Sequence, residues 1–121
     1  MKAIIVDDSR AMRMIIKRIL AAVGFEVCEA GDGKQALDQL VATGPVDLAL
    51  VDWNMPVMNG LDFLRQLRAE PGGDFPKVVF CTVESDPGRI REALAAGASE
   101  YIMKPFDGDI IAAKFAEAGL A

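Results

Sequence analysis

Histidine is absent from the 121 residues, and that absence removes whole classes of chemistry. Neither a Ser-His-Asp nor a Cys-His nucleophilic arrangement can be assembled, and zinc held through imidazole is excluded with them. Any chemistry here has to run on carboxylates, Lys, Thr or Ser, or on a metal bound by oxygens. Cysteine is scarce: Cys28 and Cys81 are the only two. They stand inside apolar runs, form no CxxC and match no metal-ligand spacing, so they are expected as buried thiols in a reducing compartment. No apolar stretch reaches the length of a transmembrane helix, and the run within MKAIIVDD at the start is too short for a secretory signal. The expectation is a soluble, cytoplasmic protein with no membrane insertion. Positive charge is in the minority, 13 Lys and Arg against 18 Asp and Glu, for a net charge of −5. That argues against a nucleic-acid partner, because non-specific binding depends on neutralising phosphates.

What is present is enough for one domain with a core of its own, needing neither disulfides nor a structural metal. Hydrophobic residues make up 52% of the chain, which excludes a disordered polymer. Short apolar runs alternate with amphipathic stretches along the whole length. The runs are Ala3–Val6, Phe25–Ala30 (alternating, as an edge strand does), Leu48–Val51, Val78–Cys81 and Tyr101–Met103. Between them, Met12, Ile15, Ile16, Ile19, Leu20 and Val23 recur at helical spacing, with Gly24 as a stop. Ala36, Leu37, Leu40 and Val41 mark a second helix after Asp32-Gly33, ending near Gly44-Pro45. Leu61, Leu64 and Leu67 mark a third, capped by Asn59 and ended by Pro71-Gly72-Gly73. Ile90, Ala93 and Leu94 mark a fourth behind Asp86-Pro87, and Ile110, Ile111 and Phe115 a fifth capped by Asp107. This is a (βα)5 pattern over residues 1–121 as a single domain. Near-continuous apolar strands separated by helices imply an α/β fold with a parallel sheet covered on both faces. Periodicity does not give the strand order.

In an open α/β sheet, ligands bind at the carboxyl ends of the strands. The first run ends in Asp7-Asp8, the third in Asp52, the fourth in Thr82 and the fifth in Lys104. Three carboxylates, a hydroxyl and an ammonium therefore converge on one edge if the strands lie side by side. Clustered carboxylates repel one another, and a hard divalent cation such as Mg²⁺ relieves the repulsion while keeping its own waters. A spare carboxylate beside it can act as a nucleophile toward phosphorus, giving an aspartyl phosphate. Mg²⁺, Lys104 and Thr82 would stabilise the equatorial oxygens of the transferred group. Each residue taken alone has an ordinary reading: Asp7 or Asp8 as a helix cap, Asp52 as a loop acid, Thr82 as a turn hydroxyl, Lys104 as a solvated charge. The combination, four polar positions of compatible chemistry ending four separate runs, carries the functional reading.

The segments Ile5-Val6-Asp7-Asp8-Ser9, Val51-Asp52-Trp53-Asn54-Met55-Pro56-Val57-Met58-Asn59-Gly60, Thr82 and Tyr101-Ile102-Met103-Lys104-Pro105-Phe106 resemble the CheY-like receiver family over essentially the full length. The resemblance implies a doubly wound, flavodoxin-like five-stranded sheet in the order 2-1-3-4-5. It also implies roles. Asp52 is the phosphorylated nucleophile. Asp7, Asp8 and Asp52 hold Mg²⁺, with the Asn54 carbonyl completing the protein ligands. Lys104 pairs with the phosphoryl oxygens, and Thr82 moves to hydrogen-bond them. Tyr101 swings inward when Thr82 moves; its ordinary reading is a strand aromatic packed on a helix. Lys104-Pro105 resembles the family's cis peptide. Asn54 and Glu84 match the chemotaxis type, where the corresponding residues influence the lifetime of the aspartyl phosphate, although Glu84 also reads as a solvated loop charge. Val83 departs from the family's usual Ala or Gly and narrows access, so Asn54, Val83 and Glu84 are the expected rate-modulating positions.

The function so implied is a stand-alone response regulator, not an enzyme, without an output domain and active in chemotaxis or motility signalling. With no histidine of its own, it takes the phosphoryl group from an external histidine kinase or histidine-phosphotransfer protein. The added charge biases the face made by the fourth helix, fifth strand and fifth helix for a downstream protein target. An alternative is a phosphorelay intermediate or phosphate sink. An Mg²⁺-dependent phosphatase with an aspartyl nucleophile fits less well, because the position two after Asp52 is Asn54 and no cap domain is present. A flavodoxin-like cofactor binder lacks its phosphate loop after the first strand.

Overall fold

The computed structural model describes residues 1–44, 46–53, 57–69, 76–82 and 87–103. Strands and helices alternate strictly: β1 (Lys2–Val6), α1 (Arg10–Ala22), β2 (Glu26–Ala30), α2 (Gly33–Thr43), β3 (Leu48–Asp52), α3 (Gly60–Ala69), β4 (Lys77–Thr82), α4 (Pro87–Ala95) and β5 (Glu100–Met103). The fifth helix expected behind Asp107, the stop at Pro71-Gly72-Gly73, the Asp86 cap and the Lys104-Pro105 peptide lie outside the described residues. All five strands pair in parallel in the order β2-β1-β3-β4-β5. β2 is an edge strand, as its alternating pattern predicts, with burial fading toward its start. None of the described helices is long and apolar enough to cross a membrane.

Successive residues of a strand point to opposite faces of the sheet, and the core divides accordingly. Ile4, Val6, Ala49, Val51, Val78 and Phe80 pack against Ala36 of α2, Phe63, Leu64 and Leu67 of α3, and Ala93 of α4. Ala3, Ile5, Leu48, Leu50, Val79, Cys81 and Ile102 pack on the other side against Ile16 and Leu20 of α1 and against Phe25. Helices therefore cover both faces, which is why the strands read as unbroken apolar runs.

The helix faces differ from the sequence expectation at their margins. Ile15, Val23, Val41 and Leu94 are exposed, Val41 by 88%. Ile15 and Val41 sit about a quarter-turn from the centre of their buried stripes at 3.6 residues per turn. Val23 is the C-cap, past the last turn of α1. Phe63, absent from the expected apolar face of α3, is fully buried. The two thiols also part company: Cys81 is buried, but Cys28 is only half-buried. The Cys28 thiol faces the Ala3 carbonyl oxygen at 3.6 Å, and desolvation pushes its pKa up.

Candidate functional site

Strand register brings the acidic residues together. Val6 at the end of β1 lies between Ala30 of β2 and Val51 of β3. Asp7 and Asp52, each one residue further along, therefore emerge side by side at the carboxyl edge of adjacent strands. One carboxylate oxygen from each of Asp7, Asp8 and Asp52 lies within 4.8 Å of the others. Among the described residues this is the cluster able to hold a metal ion. Its burial is graded: Asp7 is 2% exposed, Asp52 is half-buried and Asp8 is open to solvent. A buried carboxylate beside two others is costly without compensation. An all-oxygen donor set of three acids, open on one side to water, suits a hard cation such as Mg²⁺ that retains part of its hydration shell.

Asp7 is fixed through its own backbone and side chain. Its N–H donates to Ala30 O at 3.1 Å, extending the β1–β2 ladder by one residue. Its Oδ1 accepts from Ser9 N at 2.8 Å, and its carbonyl oxygen accepts from Arg13 Nη1 at 2.6 Å. Ser9, not Asp7 or Asp8, is the N-cap of α1, its hydroxyl accepting from Met12 N. The cap reading of the acid pair is thereby overturned. With a serine serving the helix, both carboxylates face the strand edge.

Asp52 is framed from behind by α3. Gly60, the first residue of that helix, donates its N–H to Trp53 O at 3.0 Å. A β-carbon at Gly60 would lie 2.5 Å from the Asp52 carbonyl oxygen and 2.7 Å from the Phe80 ring. Glycine is the residue that allows so close a helix approach. Asn59 caps α3 as expected, its Oδ1 accepting from Asp62 N at 2.9 Å. Trp53 turns inward, 7% exposed, with its ring centroid 5.1 Å from that of Phe80.

Of the remaining expected site residues, Thr82 ends β4 opposite Met103 of β5, one step beyond the Asp52–Cys81 pair. Only its strand position is described. Tyr101 is paired with Phe80, half-buried and packed against the α2–α3–α4 side of the core. Asn54, Val83, Glu84 and Lys104 lie outside the described residues. Sequence reading passed over Arg13. Besides holding Asp7, it meets Glu29 of β2 at 3.3 Å. Nothing in its spacing signals this, because the contact depends on how α1 sits across the sheet edge. Gly60 carried a signal, a glycine at the start of a helical pattern, that points to close approach.

The chain matches the family described as "Response regulator receiver domain" over residues 3–116. It is 42% identical over 115 residues to the chemotaxis protein CheY of Pseudomonas aeruginosa, covering 94% of this chain and 92% of that one. It is 39% identical to CheY1 of Helicobacter pylori J99, covering 94% and 93%. Its fold is similar to that of the chemotaxis protein CheY4 of Vibrio cholerae, with a TM-score of 0.89 and 31% identity over 97% of each chain.

Proposed function

The chain belongs to the response regulator receiver domain family, and we propose that it acts as a stand-alone chemotaxis-type switch that accepts a phosphoryl group on Asp52. The observation that carries the reading is the convergence of the Asp7, Asp8 and Asp52 oxygens within 4.8 Å at the ends of β1 and β3. Near full-length similarity to CheY proteins supports the assignment as a single 1–121 receiver unit in chemotaxis signalling.

In the proposed transfer, an Asp52 carboxylate oxygen attacks phosphorus. The O–P bond forms as the donor's P–N bond breaks, and the pair of electrons returns to the donor imidazole. The donor is external, because this chain has no histidine; a kinase or phosphotransfer protein supplies it. Asp7, Asp8 and Asp52, with the Asn54 carbonyl, would hold Mg²⁺, which when bound neutralises charge on the phosphoryl oxygens. Asp52 is the acceptor of the three because it ends the central strand and is half-open to solvent, whereas the buried Asp7 is committed to Ser9. Lys104 and Thr82 would bind the transferred group. Tyr101, already next to Phe80 in the ladder, would report it to the face of α4, β5 and the following helix, where a protein target binds. Val83, Glu84 and Asn54 would set the lifetime. The reading places the protein in the cytoplasm.

Incubation with radiolabelled acetyl phosphate and Mg²⁺ tests the assignment. Labelling of the wild type, lost with EDTA and lost in Asp52→Asn, is the expected result. Label that survives Asp52→Asn refutes it.

A further inference from the structure

α1 carries Arg10, Arg13, Lys17 and Arg18 and no acidic residue, in a chain whose net charge is −5. Their spacing places them on neighbouring turns of one helix flank, spread over about 12 Å at 1.5 Å rise per residue. They border an open groove of about 560 Å³ between α1 and the end of β2, with Met14 between them and Glu29 opposite. The arrangement works against helix stability. Arg10 stands at the positive end of the helix dipole, and like charges three and four residues apart repel. Glu29 offsets only part of this: it meets Arg13 at 3.3 Å and Lys17 at 3.7 Å. Among the described residues Arg10 and Arg18 have no ion-pair partner and are exposed.

We infer that this groove is a docking site for an acidic peptide segment of a partner protein. A row of cations about 12 Å long suits a chain of spaced carboxylates better than one compact anion. The lining includes no aromatic side chain on which a base would stack, which disfavours a nucleic-acid strand. The half-exposed Met14 gives the segment an apolar contact midway along. Glu29 is the internal competitor that an incoming carboxylate displaces from Arg13 and Lys17. The site is separate from the acidic cluster, although Arg13 touches both.

The test is titration of the ¹⁵N-labelled protein with a ten-residue peptide of alternating glutamate and serine. Amide shifts should be confined to residues 10–21 and 29–35. Binding should weaken about tenfold as ionic strength rises from about 0.01 M to about 0.15 M, since the screening length falls from ~30 Å to ~8 Å. The double variant Arg10→Ala/Arg18→Ala should weaken it similarly, with an unchanged spectrum of the free protein showing that the fold is intact. Glu29→Gln should tighten it by freeing two cations. Shifts that are absent or lie elsewhere, affinity unchanged in the double variant, weaker binding in Glu29→Gln, or tighter binding of a ten-nucleotide single-stranded DNA than of the peptide would each overturn the proposal.

Discussion

Gly60 and Asp52 are in backbone contact: the space a β-carbon at Gly60 would take lies 2.5 Å from the Asp52 carbonyl oxygen. The first turn of α3 therefore rests directly on the end of β3, and the orientation of the Asp52 carboxylate depends on a residue without a side chain. Gly60→Ala should push the helix start and the strand end apart. Overpacking of this kind costs about 1–3 kcal/mol. Urea unfolding should show that loss, and Asp52 labelling by acetyl phosphate should slow beyond what the lost stability explains. A variant as stable and as readily labelled as the wild type would contradict the contact.

The three clustered acids repel one another when no cation is bound. Asp8 is the exposed member and can be neutralised without opening the core. Asp8→Asn should raise the urea midpoint in the presence of a chelator and weaken Mg²⁺ binding by about tenfold or more, because affinity follows the number of charged oxygen ligands. Trp53, the single tryptophan, is adjacent to Asp52 and gives a fluorescence readout for the titration. Unchanged Mg²⁺ affinity would remove Asp8 from the ligand set.

The sheet was legible in the sequence because a strand buried on both faces is apolar at every position. Leu48–Val51 and Val78–Cys81 could hardly be anything else. Strand order was not, since no local period reports which run lies beside which; it came with the family resemblance. Helix faces were legible only at their centres. Ile16 and Leu20 are buried as expected, whereas Ile15 and Val41, apolar but a quarter-turn away, face water. The Asp7-Asp8 pair and Asp52 were legible because each stands at the end of an apolar run. The part played by Ser9 in releasing the acids from capping was not, because three potential cap residues stand in a row and geometry alone selects among them. Arg13 was invisible for a similar reason: its two partners, Asp7 just past β1 and Glu29 in β2, lie far apart in the sequence.

Val57 has φ of +66°, the left-handed region, where a β-branched side chain is strained by about 1–2 kcal/mol. It is also 79% exposed, so packing does not repay the strain. Asn adopts this conformation more readily and avoids the entropy penalty of Gly. Val57→Asn should therefore stabilise the protein by about 1 kcal/mol. An increase in thermal midpoint with unchanged cooperativity would bear this out; a decrease would mean that Val57 makes a contribution that outweighs its backbone strain.

Burial holds the Cys28 thiol above its ordinary pKa. The unfolded chain then loses this proton at lower pH than the folded one. The neutral thiol's contribution is fully present below the unfolded pKa, about 8.5, and is lost as pH rises through the folded value. Stability should accordingly decline above about pH 8.5, and Cys28→Ala should flatten that decline. Denaturant midpoints across the alkaline range measure it directly, and an equal slope in the variant would assign the decline to other groups.

Arg68 ties three parts of the chain together from the last turn of α3. Its Nη1 donates to Pro76 O at 2.7 Å, just before β4. Its Nε and Nη2 donate to Gly97 O at 3.2 and 2.8 Å, in the turn between α4 and β5. Such a fork needs the planar guanidinium, and an ammonium cannot reproduce it. Arg68→Lys should cost about 1–3 kcal/mol, the range for charged hydrogen bonds lost to partly buried carbonyls. Arg65 on the same helix is the control. It pairs with Glu92 at 3.1 Å, with both side chains about half exposed, and an exposed pair contributes about 0–1 kcal/mol. Arg65→Lys should leave the urea midpoint almost unchanged while Arg68→Lys lowers it clearly. Equal effects would show that charge on α3, rather than the carbonyl fork, holds the α4–β5 corner in place.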